Sequence, residues 1–157
     1  MPATFPKIEL HLHLDCSLSY AVVQKLDPTI GRETYRQTFV GPPKCTDLRD
    51  YLTRAQAGIA LMQTAAALRL VTLDLFEQLQ ADNVLYAEIR FAPLEHLREG
   101  LSPQSVVQAV VNAVQEGSAK TGILAGIILC TLRHYTDVQS METVRLVEQF
   151  AGTSVVG

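Results

Sequence analysis

Ionisable side chains alternate with apolar ones in the stretch "IELHLHLD", residues 8–15. Because side chains along a β-strand point alternately to its two faces, the stretch predicts a strand with one apolar and one ionisable face. His11 and His13 share the ionisable face, with backbones about 6 to 7 Å apart. That spacing lets both imidazoles reach one zinc ion, whose bonds to histidine nitrogen are about 2.0 to 2.1 Å long. The pattern therefore predicts a metal site at His11 and His13, with Asp15 beside it.

A pair of histidines two residues apart can also arise without a metal. On an arbitrary surface strand the pair is more often chance than a ligand pair, because histidine is common at exposed and half-buried positions. An inward-facing pair could also be a hydrogen-bonded structural feature. The eight-residue alternation, the neighbouring Asp15 and the order of strands and helices along the chain favour metal ligands over both.

Two more strands are predicted downstream. The stretch "NVLYAEIRFAP", 83–93, alternates polar with apolar residues and closes at Pro93, which cannot extend a ladder. The stretch "ILAGIILCTLRH", 123–134, is nearly all apolar, as expected of a strand covered on both faces. The last residues, "TSVVG", resemble the beginning of a fourth strand.

Helices are predicted between these strands. The segment from Thr64 has apolar residues at helical spacing. A second helix is expected to begin with Ser102 as N-cap and Pro103 in the first helical position. A third is expected in the segment that starts at Ser140.

The alternation of strands and helices predicts a parallel sheet with helical crossovers. We expect strands near 8–14, 84–91 and 124–131. A (β/α)8 TIM barrel takes about 250 residues, more than the 157 present. Residues 1–157 are therefore expected to be the N-terminal portion of one (β/α)8-barrel domain, with about three βα units and the start of strand 4. The missing half would come in cis or from a second chain.

A barrel also predicts where the first strand points its side chains. Alternate residues face the interior, and catalytic residues lie at the carboxyl ends of the strands. The expected inward-facing residues are Glu9, His11, His13 and Asp15. The residues expected to pack outward against helices are Ile8, Leu10, Leu12 and Leu14.

Composition restricts the class of partner. The formal net charge is −3, and such mild acidity argues against a nucleic-acid or anionic-membrane surface. The longest nearly apolar run, residues 122–132, is far shorter than the roughly 20 residues of a membrane helix. The start of the chain lacks a secretory signal pattern. Three scattered cysteines fit neither a disulfide framework nor a C-x-x-C zinc site. We expect a cytoplasmic protein.

The stretches "PKIELHLHLD", "LYAEIRFAP" and "ILCTLRH" resemble, in order, the first three strands of the adenosine deaminase family, and "VVG" resembles the start of its fourth. These proteins are zinc-dependent (β/α)8-barrel hydrolases of purine metabolism. The resemblance implies that His11 and His13 are zinc ligands and that His13 also borders the substrate. It implies that Asp15 contacts the ribose, where relatives acting on adenine tend to have Glu, so the nucleoside adenosine is the expected small-molecule substrate.

Other positions are matched to the family less closely. Tyr51 and Leu52 fall where the family has an apolar gate over the pocket, and His134 where a histidine lines the pocket wall. Core packing for Leu52 and a structural barrel-end role for His134 are equally compatible with the sequence. Cys16 replaces a common glycine and is a minor rival metal ligand, although its alternation phase points it away from the histidines.

Charged residues without a family role receive structural interpretations. We expect Glu9, Glu88 and Arg90 to form an ion-pair network in the lower barrel, because an unpaired buried charge is expensive. His96, in "LEHLREG", is expected to be a solvated loop residue.

The family's remaining parts belong to later strands: a third zinc histidine, a proton-shuttling glutamate, another histidine and a metal-binding aspartate. No residue of this chain is therefore assigned a catalytic role, and the chain alone is expected to be inactive. Three hypotheses follow: an adenosine deaminase that forms inosine and ammonia, a deaminase of another 6-aminopurine such as adenine or a modified adenosine, or a non-catalytic half-barrel completed by a partner chain.

Overall fold

The computed structural model of the chain describes residues 5–42, 44 and 48–157, without the side chains of residues 48–54. Three parallel strands, β1 (Lys7–His13), β2 (Val84–Phe91) and β3 (Leu124–Leu129), form one sheet in the order β1-β2-β3. A parallel bridge between Ile127 and Val155 begins a fourth strand beside β3. The predicted strand positions are confirmed to within two residues, and the arrangement is that of a partial (β/α)8 barrel.

Six helices connect or follow the strands within the described residues. They are α1 (Tyr20–Leu26), α2 (Arg32–Thr38), α3 (Leu48–Leu61), α4 (Ala65–Ala81), α5 (Pro103–Thr121) and α6 (Asp137–Gln149). Two single 3-10 turns, Leu14–Cys16 and Pro93–His96, directly follow β1 and β2. These turns place their side chains at the carboxyl edge of the sheet, where a parallel barrel has its site.

The helix ends follow from local side-chain chemistry. The hydroxyl of Thr64 accepts a hydrogen bond from the Ala67 N–H at the start of α4, as an N-cap does. Ser102 caps α5 in the same way, and Pro103 occupies the first helical position, as predicted. Gly122, with φ of +78°, ends α5 in the left-handed conformation that glycine adopts without strain.

Helix α6 begins three residues before the expected Ser140. Thr136 and Gln139 form a capping box, in which each side chain accepts a hydrogen bond from the backbone N–H of the other residue. This reciprocal pair satisfies two N–H groups that would otherwise lack partners, and therefore fixes the start of the helix.

The core lies between the sheet and the helices that cover its outer face. The outward side chains of β2, Ala87, Ile89 and Phe91, are at most 1% exposed. Helices α4 and α5 pack closely where Gly117 of α5 meets Phe76 of α4. A Cβ added at Gly117 would lie only 2.5 Å from the Phe76 ring. Burial of this face fixes which side of the sheet is the barrel interior.

Strand β1 does not keep a strict alternation. Glu9 pairs with Ala87 and Leu12 with Ile89, so one extra residue of β1 is inserted between these pairs as a β-bulge. Because paired residues of a parallel sheet face the same side, Glu9 lies on the helix side with Ala87, and it lines a surface cleft with Leu75. The prediction that Glu9 faces the interior is wrong, because the bulge shifts the phase of the strand.

The same bulge overturns the expected outer packing of the first residues of β1. Ile8 pairs with Tyr86 on the inner face and is 67% exposed, and Leu10 is 54% exposed. Leu12 and Leu14 follow the bulge and do pack against the core, Leu14 being fully buried. The prediction therefore holds only for the half of the strand beyond the bulge.

Polar side chains bond the backbone groups of the bulge. A carboxylate oxygen of Glu9 accepts from the His11 N–H at 3.1 Å, and Arg90 donates to the Leu10 carbonyl at 3.1 Å. The Tyr86 hydroxyl donates to Glu88 at 3.2 Å. Among the described residues, the expected ion-pair network of Glu9, Glu88 and Arg90 is not formed. Glu9 and Arg90 instead form hydrogen bonds with backbone groups of the bulge.

Candidate metal centre and substrate cavity

Two imidazoles converge at the carboxyl end of β1. The Nε2 atoms of His11 and His13 are 3.3 Å apart, and the ring centroids are 5.3 Å apart. Burial lowers the pKa of His13, and the nearby His11 and Arg90 lower it further against the opposing effect of Asp15. The ring of His13 is therefore neutral at neutral pH, which is the form that binds metals.

The separation of the two nitrogens fits a shared zinc ion. Two ligands at about 2.05 Å and a tetrahedral angle are about 3.3 Å apart, which equals the observed Nε2 separation. The other ring nitrogen of His13, Nδ1, faces an oxygen of Asp15 at 3.9 Å. At 3.9 Å the two atoms do not form a hydrogen bond, so Asp15 acts on the His13 ring through its charge alone. At 3.3 Å the two Nε2 nitrogens are also within hydrogen-bond reach of each other, so the geometry fits both the zinc pair and the hydrogen-bonded pair that the sequence leaves open.

Asp15 is buried in the turn that follows β1. The residue is 8% exposed, and burial raises the pKa of its carboxyl group, although His13 and Cys16 partly oppose the shift. Its Oδ1 atom has no hydrogen-bond partner among the described residues. A buried oxygen without a partner is costly. Asp15 therefore presents an acceptor that a donor group of a ligand could satisfy.

Three contacts hold this turn in place. The Ser17 hydroxyl donates to the His13 carbonyl at 2.5 Å. The backbone N–H and the hydroxyl of Ser19 both donate to the Asp74 carboxylate, at 3.1 and 2.6 Å, which ties the segment to α4. On the other side α3 approaches so closely that a Cβ at Gly58 would lie 2.1 Å from the Asp15 carbonyl oxygen. The backbone of Asp15 is thus packed directly against a helix.

A cavity of about 330 Å³ opens beside these residues at the carboxyl edge of the sheet. His134 lies in its wall, as the resemblance implies, and its side chain is 70% exposed. The side chains of Tyr51 and Leu52 lie outside the described residues, although both positions belong to α3. The cavity is lined by His13, Asp15, Cys16, Ala55, Gln56, Ile59, Ala92, Glu95, Leu132, Arg133 and His134.

Glu95 is a cavity residue that sequence reasoning missed. Its Oε1 atom accepts a hydrogen bond from the Tyr135 hydroxyl at 2.9 Å and lies 3.7 Å from Nε2 of His134. Burial and the neighbouring Glu95 raise the pKa of Tyr135, which keeps its hydroxyl a donor. A glutamate after the second strand gives no local signal that it will face the cavity.

The prediction for His96 is wrong. Its side chain is fully buried, packs beside the Phe91 ring, and makes a 2.9 Å hydrogen bond between Nδ1 and the Met62 carbonyl. Burial lowers the pKa of His96 to about 4. Its Nε2 has no hydrogen-bond partner among the described residues. His96 therefore belongs to the packing beneath the cavity and is not solvated.

Cys16 lies in the same turn as Asp15 and lines the cavity. Desolvation of its thiol, reinforced by the charge and hydrogen bonding of Asp15, raises the pKa of Cys16 to about 12. A bound metal deprotonates a thiol that coordinates it, so Cys16 stays an alternative ligand to the histidines.

Within the described part of the chain, no three His, Cys, Asp or Glu side chains are grouped so as to hold a metal ion. A catalytic zinc site uses three protein ligands. The histidine pair alone therefore falls short of the ligand set of a catalytic zinc site. Among the residues that the structure describes, every helix is too short or too polar for a membrane-spanning segment.

Comparison with known sequences gives one family. The profile of the adenosine deaminase family matches residues 6–157. Adenosine deaminase from Enterococcus faecalis is 37% identical over 158 residues, covering 97% of this chain and 47% of that protein. Adenosine deaminase from Clostridium acetobutylicum is 35% identical over 152 residues, covering 92% and 46%. The chain spans about half the length of the curated relatives it matches.

Solved structures share the fold. A zinc-bound amidohydrolase from Burkholderia ambifaria superposes with a TM-score of 0.84 at 22% identity, covering 98% of this chain and 43% of that one. Adenine deaminase from Arthrobacter aurescens gives 0.75 at 23% identity, covering 97% and 47%. The N6-mAMP deaminase of arabidopsis gives 0.80 at 23% identity, covering 98% and 49%. These likenesses show the fold, and the profile match over residues 6–157 shows that the chain belongs to the adenosine deaminase family.

Proposed function

We propose that this chain is the N-terminal portion of a single-domain, zinc-dependent adenosine deaminase, which hydrolyses adenosine or 2′-deoxyadenosine to inosine or 2′-deoxyinosine and ammonia. The observation that carries the proposal is the 3.3 Å separation of the His11 and His13 Nε2 atoms beside the cavity. His11 and His13 would hold the zinc, with further ligands from the rest of the barrel. When bound, zinc lowers the pKa of a coordinated water to about 7, which makes hydroxide available at neutral pH.

Asp15 orients the sugar in this proposal. Its unpartnered Oδ1 accepts a hydrogen bond from a ribose hydroxyl, which removes the cost of burying that oxygen alone. His13 holds its Nδ1 toward Asp15, so the residue that would bind zinc also borders the sugar. In this proposal the metal and the nucleoside bind on adjacent sides of one turn.

The cavity supplies the environment for the purine. Apolar side chains from α3 and from the segments after β2 and β3, among them Ile59, Ala92 and Leu132, line its walls. Such walls exclude water from a planar base and strengthen the polar contacts made beside it. The remaining half of the barrel, in cis or as a second chain, closes the cavity and supplies the proton-transfer groups.

A deaminase of another 6-aminopurine is the second candidate. Two of the structural neighbours are an adenine deaminase and an N6-mAMP deaminase. The short side chain of Asp15 leaves room for a sugar, whereas relatives acting on the bare base tend to have Glu there, so we favour the nucleoside. A non-catalytic half-barrel completed by a partner is the third candidate, and its distinguishing property is nucleoside binding without ammonia release.

The proposal is tested in the complete barrel, meaning this chain together with the polypeptide that supplies the other strands. We expect His11→Ala and His13→Ala to lose bound zinc, measured by plasma mass spectrometry, and to lose ammonia release from adenosine by at least about 10³-fold. His134→Ala is the matched control, because it removes a cavity histidine outside the pair and should leave the zinc content unchanged. Full zinc occupancy in both histidine variants would show that the ligand assignment is wrong.

A further inference from the structure

Glu95 gives the cavity a second carboxylate, in addition to that of Asp15. It lies in the Pro93–His96 turn after β2, and its side chain is only 16% exposed. Both carboxylates line the same 330 Å³ cavity. Two carboxylates in one small cavity repel each other and any further negative charge that enters it.

Contacts on both sides hold Glu95 in place. The Tyr135 hydroxyl donates to its carboxylate at 2.9 Å. The buried Gln63 side chain donates to the Glu95 backbone carbonyl at 3.1 Å and accepts from the Arg98 N–H at 2.9 Å, so the turn itself is fixed. These contacts hold the turn and direct the carboxylate toward the cavity.

Two basic side chains, Arg133 and His134, also line the cavity. Nε2 of His134 lies 3.7 Å from Oε1 of Glu95, and its imidazole carries a charge only when it is protonated. Both basic residues are exposed, whereas the Glu95 side chain is 16% exposed, so solvent screens their attraction for an anion more than the repulsion from Glu95.

From this geometry we propose that Glu95 is a specificity-determining residue, which excludes phosphorylated substrates and restricts the cavity to uncharged nucleosides. The inference rests on the proposed function, because it concerns the same cavity. A nucleoside offers hydroxyl donors to the two carboxylates. A nucleotide brings a phosphate that carries between one and two negative charges near neutral pH into a partly desolvated site, where like charges repel more strongly than in water.

The test is Glu95→Gln in the complete barrel, with kcat/KM measured for adenosine and for AMP. Glutamine keeps the shape and can still accept from Tyr135, so the substitution removes only the charge. We expect the AMP-to-adenosine ratio of kcat/KM to rise by about tenfold or more. Glu99→Gln is the matched control: it removes the same charge from an exposed position four residues away and should leave the ratio unchanged.

Glu95→Ser removes the charge with a smaller side chain and should shift the AMP-to-adenosine ratio of kcat/KM in the same direction. It provides the test if the glutamine variant does not fold. An unchanged ratio in the folded variants of a barrel that deaminates adenosine would overturn the role of Glu95 and leave the proposed function intact. A wild-type barrel that releases no ammonia would overturn the proposed function instead. In that case the role of Glu95 is tested by calorimetric Kd values for adenosine and AMP, measured in the wild type and in Glu95→Gln. An AMP-to-adenosine Kd ratio that differs between the two proteins supports the role of Glu95. An equal ratio in both proteins, or no binding of either compound, rejects it.

Discussion

Gly58 is the position where the smallest change should have the largest effect on the site. It lies in α3 above the turn that carries Asp15, and nothing but the absence of a side chain allows the two backbones to approach. In Gly58→Ala the new Cβ would lie 2.1 Å from the Asp15 carbonyl oxygen and 3.2 Å from the Leu18 side chain. The nearer atom is backbone and cannot rotate away.

The displacement can be worked out from that distance. Ordinary van der Waals contact begins at 3.4 Å, so α3 and the Asp15 turn must separate by about 1.3 Å. Overpacking of this kind costs about 1 to 3 kcal/mol of stability. Alanine is otherwise the better helix former by about 1 kcal/mol, so without the clash the substitution would stabilise α3. A misplacement of about 1 Å at a reacting site can lower the rate by about 10²-fold.

We therefore expect Gly58→Ala to lower kcat/KM for adenosine in the complete barrel by about 10²-fold and to lower the melting temperature by several degrees. Gly41→Ala is the control, since no atom of the described residues lies within 4 Å of its added Cβ and its φ is not positive. Thermal unfolding and steady-state kinetics provide the two measurements. Unchanged or increased stability with full activity would refute the close approach of α3 to Asp15.

Three further outcomes are expected. The pKa of His96 is about 4 in the folded protein and about 6.5 in the unfolded chain. Between these pH values the unfolded state binds more protons than the folded state. The free energy of unfolding therefore falls as the pH falls, by up to about 3 kcal/mol. Urea unfolding of His96→Gln should lack this fall, and a parallel pH dependence in both proteins would contradict it. Asp15→Glu should lower turnover of adenosine relative to adenine in a spectrophotometric assay; an unchanged preference would remove Asp15 from sugar recognition. The 157-residue chain alone should neither deaminate adenosine nor retain zinc through dialysis, because it offers two ligands where a catalytic site needs three, and turnover at an ordinary enzymatic rate would disprove this.

Features set by neighbouring residues were predictable from the sequence. The strand positions, the caps at Thr64 and Ser102 and the convergence of His11 and His13 all depend on spacing or on contacts within a few residues. The capping box at Thr136 was equally local, and its T-x-x-Q pattern is a readable signal for the true start of α6.

Features set by distant contacts were not predictable. The turn with Glu95 and His96 reads as a polar loop, and its burial comes from Met62 and Gln63, more than 30 residues earlier in the chain. The bulge in β1 depends on its pairing with β2, which a regular alternation of letters does not reveal. Local periodicity therefore predicted the convergence of the two histidines, whereas the walls of the cavity beside them depend on tertiary packing.

The bulge in β1 divides the strand into two segments with separate constraints on length. Because the extra residue lies between Glu9 and Leu12, loss of Leu10 would restore regular pairing and leave His11 and His13 on the inner face. A one-residue change between the two histidines would instead turn one imidazole toward the helices. Insertions and deletions among homologous chains should accordingly be found before His11 and not after it. The amino-terminal end of the strand can then diverge while the two histidines stay on one face.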